Sequence, residues 1–186
     1  MLLGAFDPPT NAHVDILRAA CARRGLPGMM CVTRVLLARS NDTLLGDDER
    51  LQLLDELARA EGFEFRTAEN GTYLEVAREL RADGLDATFV IGSDKLPQLV
   101  DPSFYADGPA GADATFREVD FVVVERGEAV PPGPYEVIPG AEAFGDPSHA
   151  AISATAVRQR VRNGEDVKAL VPPIVTKALG RYTSGE

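Results

Sequence analysis

Near its N-terminus the chain reads Leu2-Leu3-Gly4-Ala5-Phe6-Asp7-Pro8-Pro9-Thr10-Asn11-Ala12-His13, a short apolar run that passes through a Gly- and Pro-containing turn. This pattern predicts a strand, a turn and the start of a helix. Thr10 and His13 then share one face of the first helical turn, where unpaired N–H groups and the positive dipole end attract anions. The stretch outlines a phosphate site, although Thr-x-x-His alone is more typical of an N-cap followed by a surface histidine.

Composition limits the classes of protein to which the chain can belong. With 186 residues and 45% hydrophobic content, it fits a single globular domain over residues 1–186. The 19 basic and 29 acidic residues give a formal charge of −10. Such an acidic surface argues against nonspecific binding to nucleic acid or to an anionic membrane. Any phosphate site must therefore rely on local donors.

The two cysteines and the apolar runs predict a compartment. Cys21 and Cys31 have neither metal-like nor Cys-x-x-Cys spacing, and Cys21 falls inside an apolar helical pattern. We therefore expect core thiols that stay reduced in the cytoplasm. No apolar run approaches the length of a membrane span, and no basic region precedes an apolar core at the N-terminus, so we expect neither membrane insertion nor export.

Strand-like and helix-like segments alternate along the chain. Strands are expected at Val32–Ala38, Phe63–Thr67, Ala87–Ile91 and Phe121–Glu125, and helices at Ala12–Arg24, from Gly46 to about Ala60 and at Thr72–Asp83. This α/β alternation predicts a Rossmann-like open parallel sheet with helices on both faces and a C-terminal helical segment. Leu99–Thr115 and Gly127–Pro134, rich in Pro and Gly, are predicted to be loops over the active face.

Ligands of open parallel sheets bind at the carboxyl ends of the strands. Gly92-Ser93-Asp94 follows one predicted strand, where the glycine permits close approach and Asp94 can accept hydrogen bonds from ribose hydroxyls. Arg126 follows another strand as a cation. Without the N-terminal motif, Gly92-Ser93-Asp94 would be better explained as a capped helix start and Arg126 as a solvated charge.

A second motif, Ile152-Ser153-Ala154-Thr155-Ala156-Val157-Arg158, lies near the C-terminus. Ser153 or Thr155 can cap a helix, whose N–H groups then form a second anion site. Arg158, one turn further, adds a forked guanidinium suited to phosphate oxygens. In isolation the motif is as consistent with a capped amphipathic helix bearing exposed arginines.

The two motifs together resemble the signatures of the nucleotidyltransferase superfamily that includes nicotinate mononucleotide and phosphopantetheine adenylyltransferases. Gly4-x-Phe6-Asp7-Pro8 with Thr10-x-x-His13 is similar to the N-terminal signature, with Ala12 where the family has Gly, and Ile152 to Val175 is similar to the C-terminal one. The resemblance implies triphosphate contacts and charge stabilisation by the catalytic candidates Thr10, His13 and Arg158. It further implies nucleotide binding by Gly4, Ala5, Phe6, Asp7, Gly92, Asp94, Ser153 and Thr155.

The implied reaction needs little covalent chemistry from the protein. An oxygen of the acceptor phosphate attacks the α-phosphorus of ATP in line and pyrophosphate leaves, so the protein aligns the reactants and neutralises charge. Mg²⁺ carried with ATP is expected to be held mostly by phosphates and water, and we name no protein ligand for it.

Different segments of the chain resemble two members of the superfamily that use different acceptors. Phe6–Ile16 and Leu45–Arg50 resemble the phosphopantetheine enzyme, whereas Phe89–Leu96, Asp120–Gly127 and Ile152–Arg158 resemble the nicotinate mononucleotide enzyme. The Arg-Gly-Leu-Arg segment of the former has no counterpart after Ile91, so we favour a pyridine mononucleotide acceptor and a place in NAD biosynthesis. This resemblance implies acceptor binding near Thr72, Tyr73 and Arg126, with Phe104 or Tyr105 stacking on the ring, since the chain has no Trp.

Two other functions stay open. One is an adenylyl- or cytidylyltransferase that acts on another phosphate acceptor, such as phosphopantetheine or glycerol phosphate. The other is a nonenzymatic nucleotide-binding module, which the short loop from Arg39 to Gly46 favours and the intact motifs disfavour. A homo-oligomer is also open, because the apolar helix faces can pack internally or across an interface.

Overall fold

A computed structural model describes residues 1–38, 43–105, 107–127 and 129–183. Six strands form one parallel sheet in the order β3-β2-β1-β4-β5-β6. The strands are β1 (Leu2–Leu3), β2 (Met29–Thr33), β3 (Glu64–Ala68), β4 (Thr88–Gly92), β5 (Asp120–Val124) and β6 (Glu136–Ile138). Successive strands are added outward from β1 on one side and then, from β4, on the other. The crevice between β1 and β4 is therefore the switch point at which ligands of such sheets bind.

Helices cover both faces of this sheet. They are α1 (Asn11–Arg24), α2 (Arg34–Ala38), α3 (Asp47–Glu61), α4 (Tyr73–Ala82), α5 (Leu96–Val100), α6 (Pro109–Glu118), α7 (Gly140–Ala143), α8 (Ala154–Arg162) and α9 (Pro173–Thr183). Alternate residues of β5 point to opposite sides: Val122 and Val124 pack with α1, α3, α8 and α9, whereas Phe121 and Val123 pack with α4 and α5. The predicted Rossmann-like α/β fold is confirmed.

The N-terminal boundary of β2 and the segment after it differ from the prediction. We expected a strand over Val32–Ala38, but the strand begins at Met29 and leaves the sheet after Thr33. The Thr33 hydroxyl accepts a hydrogen bond from the Leu36 N–H at 3.1 Å and so begins helix α2. A local side-chain cap therefore overrides the apolar run that had indicated a longer strand.

Several further elements were missed, among them the short helix α7. Leu99–Thr115 was expected to be a loop, but Pro109 starts helix α6, which buries Ala112 and Thr115. Proline is favoured at the first position of a helix, so its presence there did not exclude one. The three-residue edge strand β6 was also not predicted. The other predicted elements agree with the structure to within one residue at each end.

The two cysteines differ in burial. Cys31 is fully buried in the sheet, whereas Cys21 packs against the core and is only partly buried. Among the described residues, no helix has the length and apolar character needed to cross a membrane.

Candidate active site

A cavity of about 300 Å³ opens at the carboxyl ends of β1 and β4, and we call it the central cavity. It brings together twelve of the fourteen residues predicted from the sequence, from five separate parts of the chain. They are Gly4, Ala5, Phe6, Asp7, His13, Tyr73, Gly92, Asp94, Arg126, Ser153, Thr155 and Arg158. The roles of these residues toward a ligand stay predictions.

His13 is oriented by the N-cap of α1. The Thr10 hydroxyl accepts a hydrogen bond from the His13 N–H, and the Thr10 N–H donates to His13 Nδ1 at 3.0 Å. This is a capping box in which His replaces the usual Glu or Gln. Because Nδ1 accepts a hydrogen bond, the ring proton of the neutral imidazole lies on Nε2. The ring lines the central cavity, so it can offer this N–H to an anion bound there.

Burial, followed by the positive charge of Arg126, lowers the pKa of His13 to about 4. The imidazole is therefore neutral at pH 7. A neutral Nε2–H donates a hydrogen bond to a phosphate oxygen without gaining or losing a proton. His13 thus suits charge stabilisation better than general base catalysis.

Thr10 lies behind His13 and does not line the central cavity. Its side chain is fully buried, and its hydroxyl lies 2.9 Å from His13 Nδ1. The direct phosphate contact of Thr10 stays a prediction, and the contact that the structure shows is with the imidazole of His13.

The turn before α1 is tightly packed around Phe6. Phe6 has φ 48°, in the left-handed region that non-glycine residues rarely adopt, and its ring meets that of His13 edge-on with centroids 5.2 Å apart. A Cβ at Gly4 would lie 3.2 Å from the Phe6 ring. The aromatic ring therefore restricts the size of residue 4 and supports one side of the imidazole.

Arg158 joins the two ends of the sequence. Its Nη1 donates to the Asp7 carbonyl oxygen at 2.6 Å, and its Nη2 donates to the Thr155 hydroxyl at 3.0 Å. Asp7 is buried, and its Oδ1 accepts a hydrogen bond from the Leu44 N–H at 3.3 Å. Ser153 is the N-cap of α8 and accepts from the Ala156 N–H at 3.1 Å. The start of α8 is thereby held beside the first turn.

The Arg126 guanidinium is hydrogen-bonded to acceptors of the protein. Its guanidinium donates to Asp94 Oδ1 at 3.0 Å and to the carbonyl oxygens of Ala150 at 2.9 Å and Ile152 at 2.5 Å. A Cβ on Gly92 would lie 2.4 Å from Asp94 Oδ1 and 2.5 Å from Arg126 Cδ, so this close packing requires glycine. The predicted acceptor contact of Arg126 stays a prediction, while its observed contacts join the ends of β4 and β5 to the segment before α8.

Two larger cavities adjoin the central one. The proline-lined cavity, about 640 Å³, shares Asp94 and Arg126 with it and is walled by Pro97, Pro131, Pro132 and Pro134. The aromatic cavity, about 380 Å³, contains Thr72, Tyr73, Phe104 and Tyr105. Thr72, which like Thr10 is a predicted site residue absent from the central cavity, is the N-cap of α4. Tyr73 packs edge-on against Phe89 and Phe121, and burial raises the pKa of its hydroxyl to about 12.

Two basic residues of this region were not predicted to belong to the site. Lys95, in the turn after β4, lines both the central and the aromatic cavities. Arg50 is fully buried behind the first turn, where it donates to the Ala5 carbonyl oxygen at 3.5 Å and pairs with Asp47 at 2.5 Å. The position of Lys95 directly after Gly92-Ser93-Asp94 was the available signal, whereas Arg50 had none, since it belongs to an ordinary amphipathic helix.

The described residues contain no cluster of three or more His, Cys, Asp or Glu side chains suited to a metal ion. The expectation that Mg²⁺ arrives with ATP stays a prediction.

Comparison with known proteins identifies the family. The family model for cytidylyltransferase-like proteins matches residues 1–160. The chain is 30% identical over 181 residues to a phosphopantetheine adenylyltransferase of Methylobacterium sp. (strain 4-46), with 95% of this chain and 91% of the relative covered. It is 28% identical over 191 residues to the enzyme of that name from Rhodopseudomonas palustris, with 98% and 95% covered. It is 26% identical over 189 residues to a probable nicotinate-nucleotide adenylyltransferase of Exiguobacterium sibiricum, with 96% and 94% covered.

These relatives differ in the acceptor that their names specify, but all are adenylyltransferases. The family match covers every strand of the sheet and the start of α8. The chain therefore belongs to the cytidylyltransferase-like family of nucleotidyltransferases.

Proposed function

We propose that this nucleotidyltransferase moves AMP from ATP to the phosphate of a pyridine mononucleotide, preferably nicotinate mononucleotide. An acceptor phosphate oxygen forms a bond to the α-phosphorus as the bond from that phosphorus to the β-phosphate's bridging oxygen breaks. Pyrophosphate leaves with the Mg²⁺ that came with ATP. No side chain is modified during the reaction, and the protein contributes alignment and hydrogen-bond donors.

In this proposal the three cavities hold different parts of the reactants. The triphosphate occupies the central cavity, between the His13 Nε2–H and the first turn of α8. The ribose lies near Asp94, and the base extends into the apolar proline-lined cavity. The acceptor occupies the aromatic cavity.

The observation that carries the choice of acceptor is the aromatic character of this last cavity. Phe104 is 57% exposed at its rim and lies next to Tyr105, with Leu36 and Leu99 completing an apolar lining. An exposed aromatic ring beside an apolar wall suits stacking on a flat heterocycle. The similarity to a probable nicotinate-nucleotide adenylyltransferase supports the same choice.

Phosphopantetheine is the second candidate acceptor. It is favoured by the relatives at 30% and 28% identity, which are named phosphopantetheine adenylyltransferases. Thr10-Asn11 in the first motif also resembles that enzyme.

Pyrophosphate release by the purified protein distinguishes these functions. We would supply ATP or CTP with nicotinate mononucleotide, nicotinamide mononucleotide, 4′-phosphopantetheine or glycerol phosphate, and use the His13→Ala variant to exclude contaminating activity. We expect turnover with ATP and nicotinate mononucleotide. Turnover with phosphopantetheine alone would replace our acceptor, and ATP binding without turnover on any acceptor would indicate a binding module.

A further inference from the structure

The central and aromatic cavities meet at a junction lined by Leu3, Gly4, Ala5, Tyr73 and Lys95. In an in-line transfer the attacking oxygen must come within about 3–3.5 Å of the α-phosphorus. If ATP fills one cavity and the acceptor the other, the acceptor phosphate has to lie at this junction. Lys95 is the one charged residue among the five that line it.

The other cations of the central cavity are engaged by protein acceptors. Arg126 donates to Asp94 and to two carbonyl oxygens, and Arg158 donates to Asp7 and Thr155. The exposed Lys95 ammonium has no hydrogen bond or ion pair within the part of the chain that the structure describes. Its charge nevertheless acts on the cavity, because it contributes to the lowered pKa of His13.

The junction offers a second donor. The Tyr73 hydroxyl has no hydrogen-bond partner among the described residues, and like an ordinary tyrosine it is protonated at pH 7 and can donate. An acceptor phosphate beside a triphosphate experiences strong like-charge repulsion, and the protein's net charge of −10 adds to it. A lysine ammonium on a flexible stem, with three donors, can offset this repulsion locally.

We propose that Lys95 is the residue that binds the phosphate of the acceptor, with the Tyr73 hydroxyl as its neighbouring donor. This assignment rests on the proposed transfer to a phosphate-bearing acceptor, but not on which acceptor is used. It makes the turn after β4 bifunctional: Asp94 faces the nucleotide side, and Lys95 faces the acceptor side.

The test compares Lys95→Gln and Lys95→Arg with the wild type. Lys168→Gln is the matched control, because it removes the same charge from an exposed lysine paired with Asp166 away from the cavities. With the acceptor that the wild type uses, we expect Lys95→Gln to raise the acceptor KM by about ten- to a hundredfold, the range for a hydrogen bond to a charged group. The ATP KM should stay within about twofold, Lys95→Arg should recover part of the loss, and Lys168→Gln should behave as wild type.

An unchanged acceptor KM in Lys95→Gln would overturn the assignment while leaving the proposed function intact. A parallel rise in the ATP KM would place Lys95 on the triphosphate instead. Calorimetric titration of nicotinate mononucleotide and of 4′-phosphopantetheine into protein saturated with a nonhydrolysable ATP analogue provides a readout without turnover. Weaker binding to Lys95→Gln supports the assignment even for an inactive protein, and a wild type that binds neither compound overturns both proposals.

Discussion

His13 combines a structural and a chemical role in one imidazole. Nδ1 completes the capping box of α1, and this bond leaves the proton on the nitrogen that can face a phosphate. Its pKa of about 4 keeps the ring neutral over the working range of most enzymes. The same hydrogen bond therefore fixes the tautomer, the ring orientation and the start of the helix.

Replacing His13 should mainly affect the chemical step. We expect His13→Ala to lower kcat about a hundredfold or more, as the loss of a donor to transition-state charge does elsewhere. Steady-state pyrophosphate release measures this, and an unfolding curve checks that the variant still folds. Near-normal kcat in the folded variant would remove His13 from the catalytic assignment.

The lowered pKa of His13 also predicts how stability depends on pH. The unfolded chain binds a proton at His13 below about pH 6.5, while the folded protein does so only near pH 4. Stability should therefore fall as the pH falls through this window, and His13 should account for about 2 kcal/mol of the loss between pH 7 and 5. In His13→Gln this contribution disappears, while the Gln side chain preserves the capping box. Urea unfolding of both proteins at the two pH values tests the difference, and equal losses would contradict it.

At the residue scale, the sequence predicted which residues meet around the central cavity better than it predicted their individual hydrogen-bond partners. The spacing of Thr10 and His13 indicated a shared face, but not that Thr10 would be buried behind the imidazole. Arg126 was recognised as a cation at a strand end and Arg158 as a cation suited to phosphate, whereas their carbonyl and carboxylate partners come from distant segments. Lys95 was passed over because its importance depends on the meeting of two cavities, which no local pattern records.

Among the elements, α8 has a helix start that is both capped and tied to distant segments, at the place where we propose that the triphosphate binds. Ser153 caps it through the Ala156 N–H, and Arg158 anchors its first turn to Asp7. In the same region, the hydrogen bonds from Arg126 to Ala150 and Ile152 fix the segment that leads into the helix. The start of α8 is thus held from both sides.

Two substitutions at Ser153 separate these functions. Ser153→Ala should lower the free energy of unfolding by about 1 kcal/mol through loss of the cap. Ser153→Asp keeps an equally good cap, so its stability should stay close to wild type, but its carboxylate should weaken ATP binding about tenfold or more by repulsion. Chemical denaturation and ATP titration measure the two effects. Wild-type ATP affinity in Ser153→Asp would exclude the start of α8 from the triphosphate site.

Secondary structure was predictable where periodicity was strong and local. Helices α1, α3 and α4 carry clear caps and apolar faces, and the sequence located them to within one residue. Helices α2 and α6 were missed for different reasons: α2 has a strand-like composition that a threonine cap overrides, and α6 is built from small residues around Pro109. Edge strand β6 is too short to carry a pattern of its own.

For the whole molecule, the site connects segments that are far apart in sequence. The contact between Arg158 and Asp7 spans 151 residues, and the central cavity draws on both halves of the sheet. A ligand bound there would contact the folded state alone, since the unfolded chain has no comparable arrangement. Ligand binding and global stability are therefore coupled.

ATP should accordingly raise the melting temperature. At about a hundred times its Kd, a ligand specific for the folded state contributes about 2.7 kcal/mol, which for a domain of this size corresponds to about 5–10 °C. Thermal unfolding with and without ATP, in the absence of acceptor, gives the shift. Ser153→Asp at the same ATP concentration is the control and should lose most of it, and no shift in the wild type would argue against an ATP site.

The central place of β1 has a consequence for biosynthesis. This two-residue strand is made before both of its neighbours, because it pairs with β2 on one edge and, through Leu2 and Val90, with β4 on the other. A ribosome-bound chain cannot close the middle of its sheet until residues near 90 have emerged, and the first turn meets Arg158 only after the 151 residues that separate Asp7 from it have been made. During synthesis the first turn therefore stays without its α8 partner until Arg158 has emerged, and the central cavity can close only after that point.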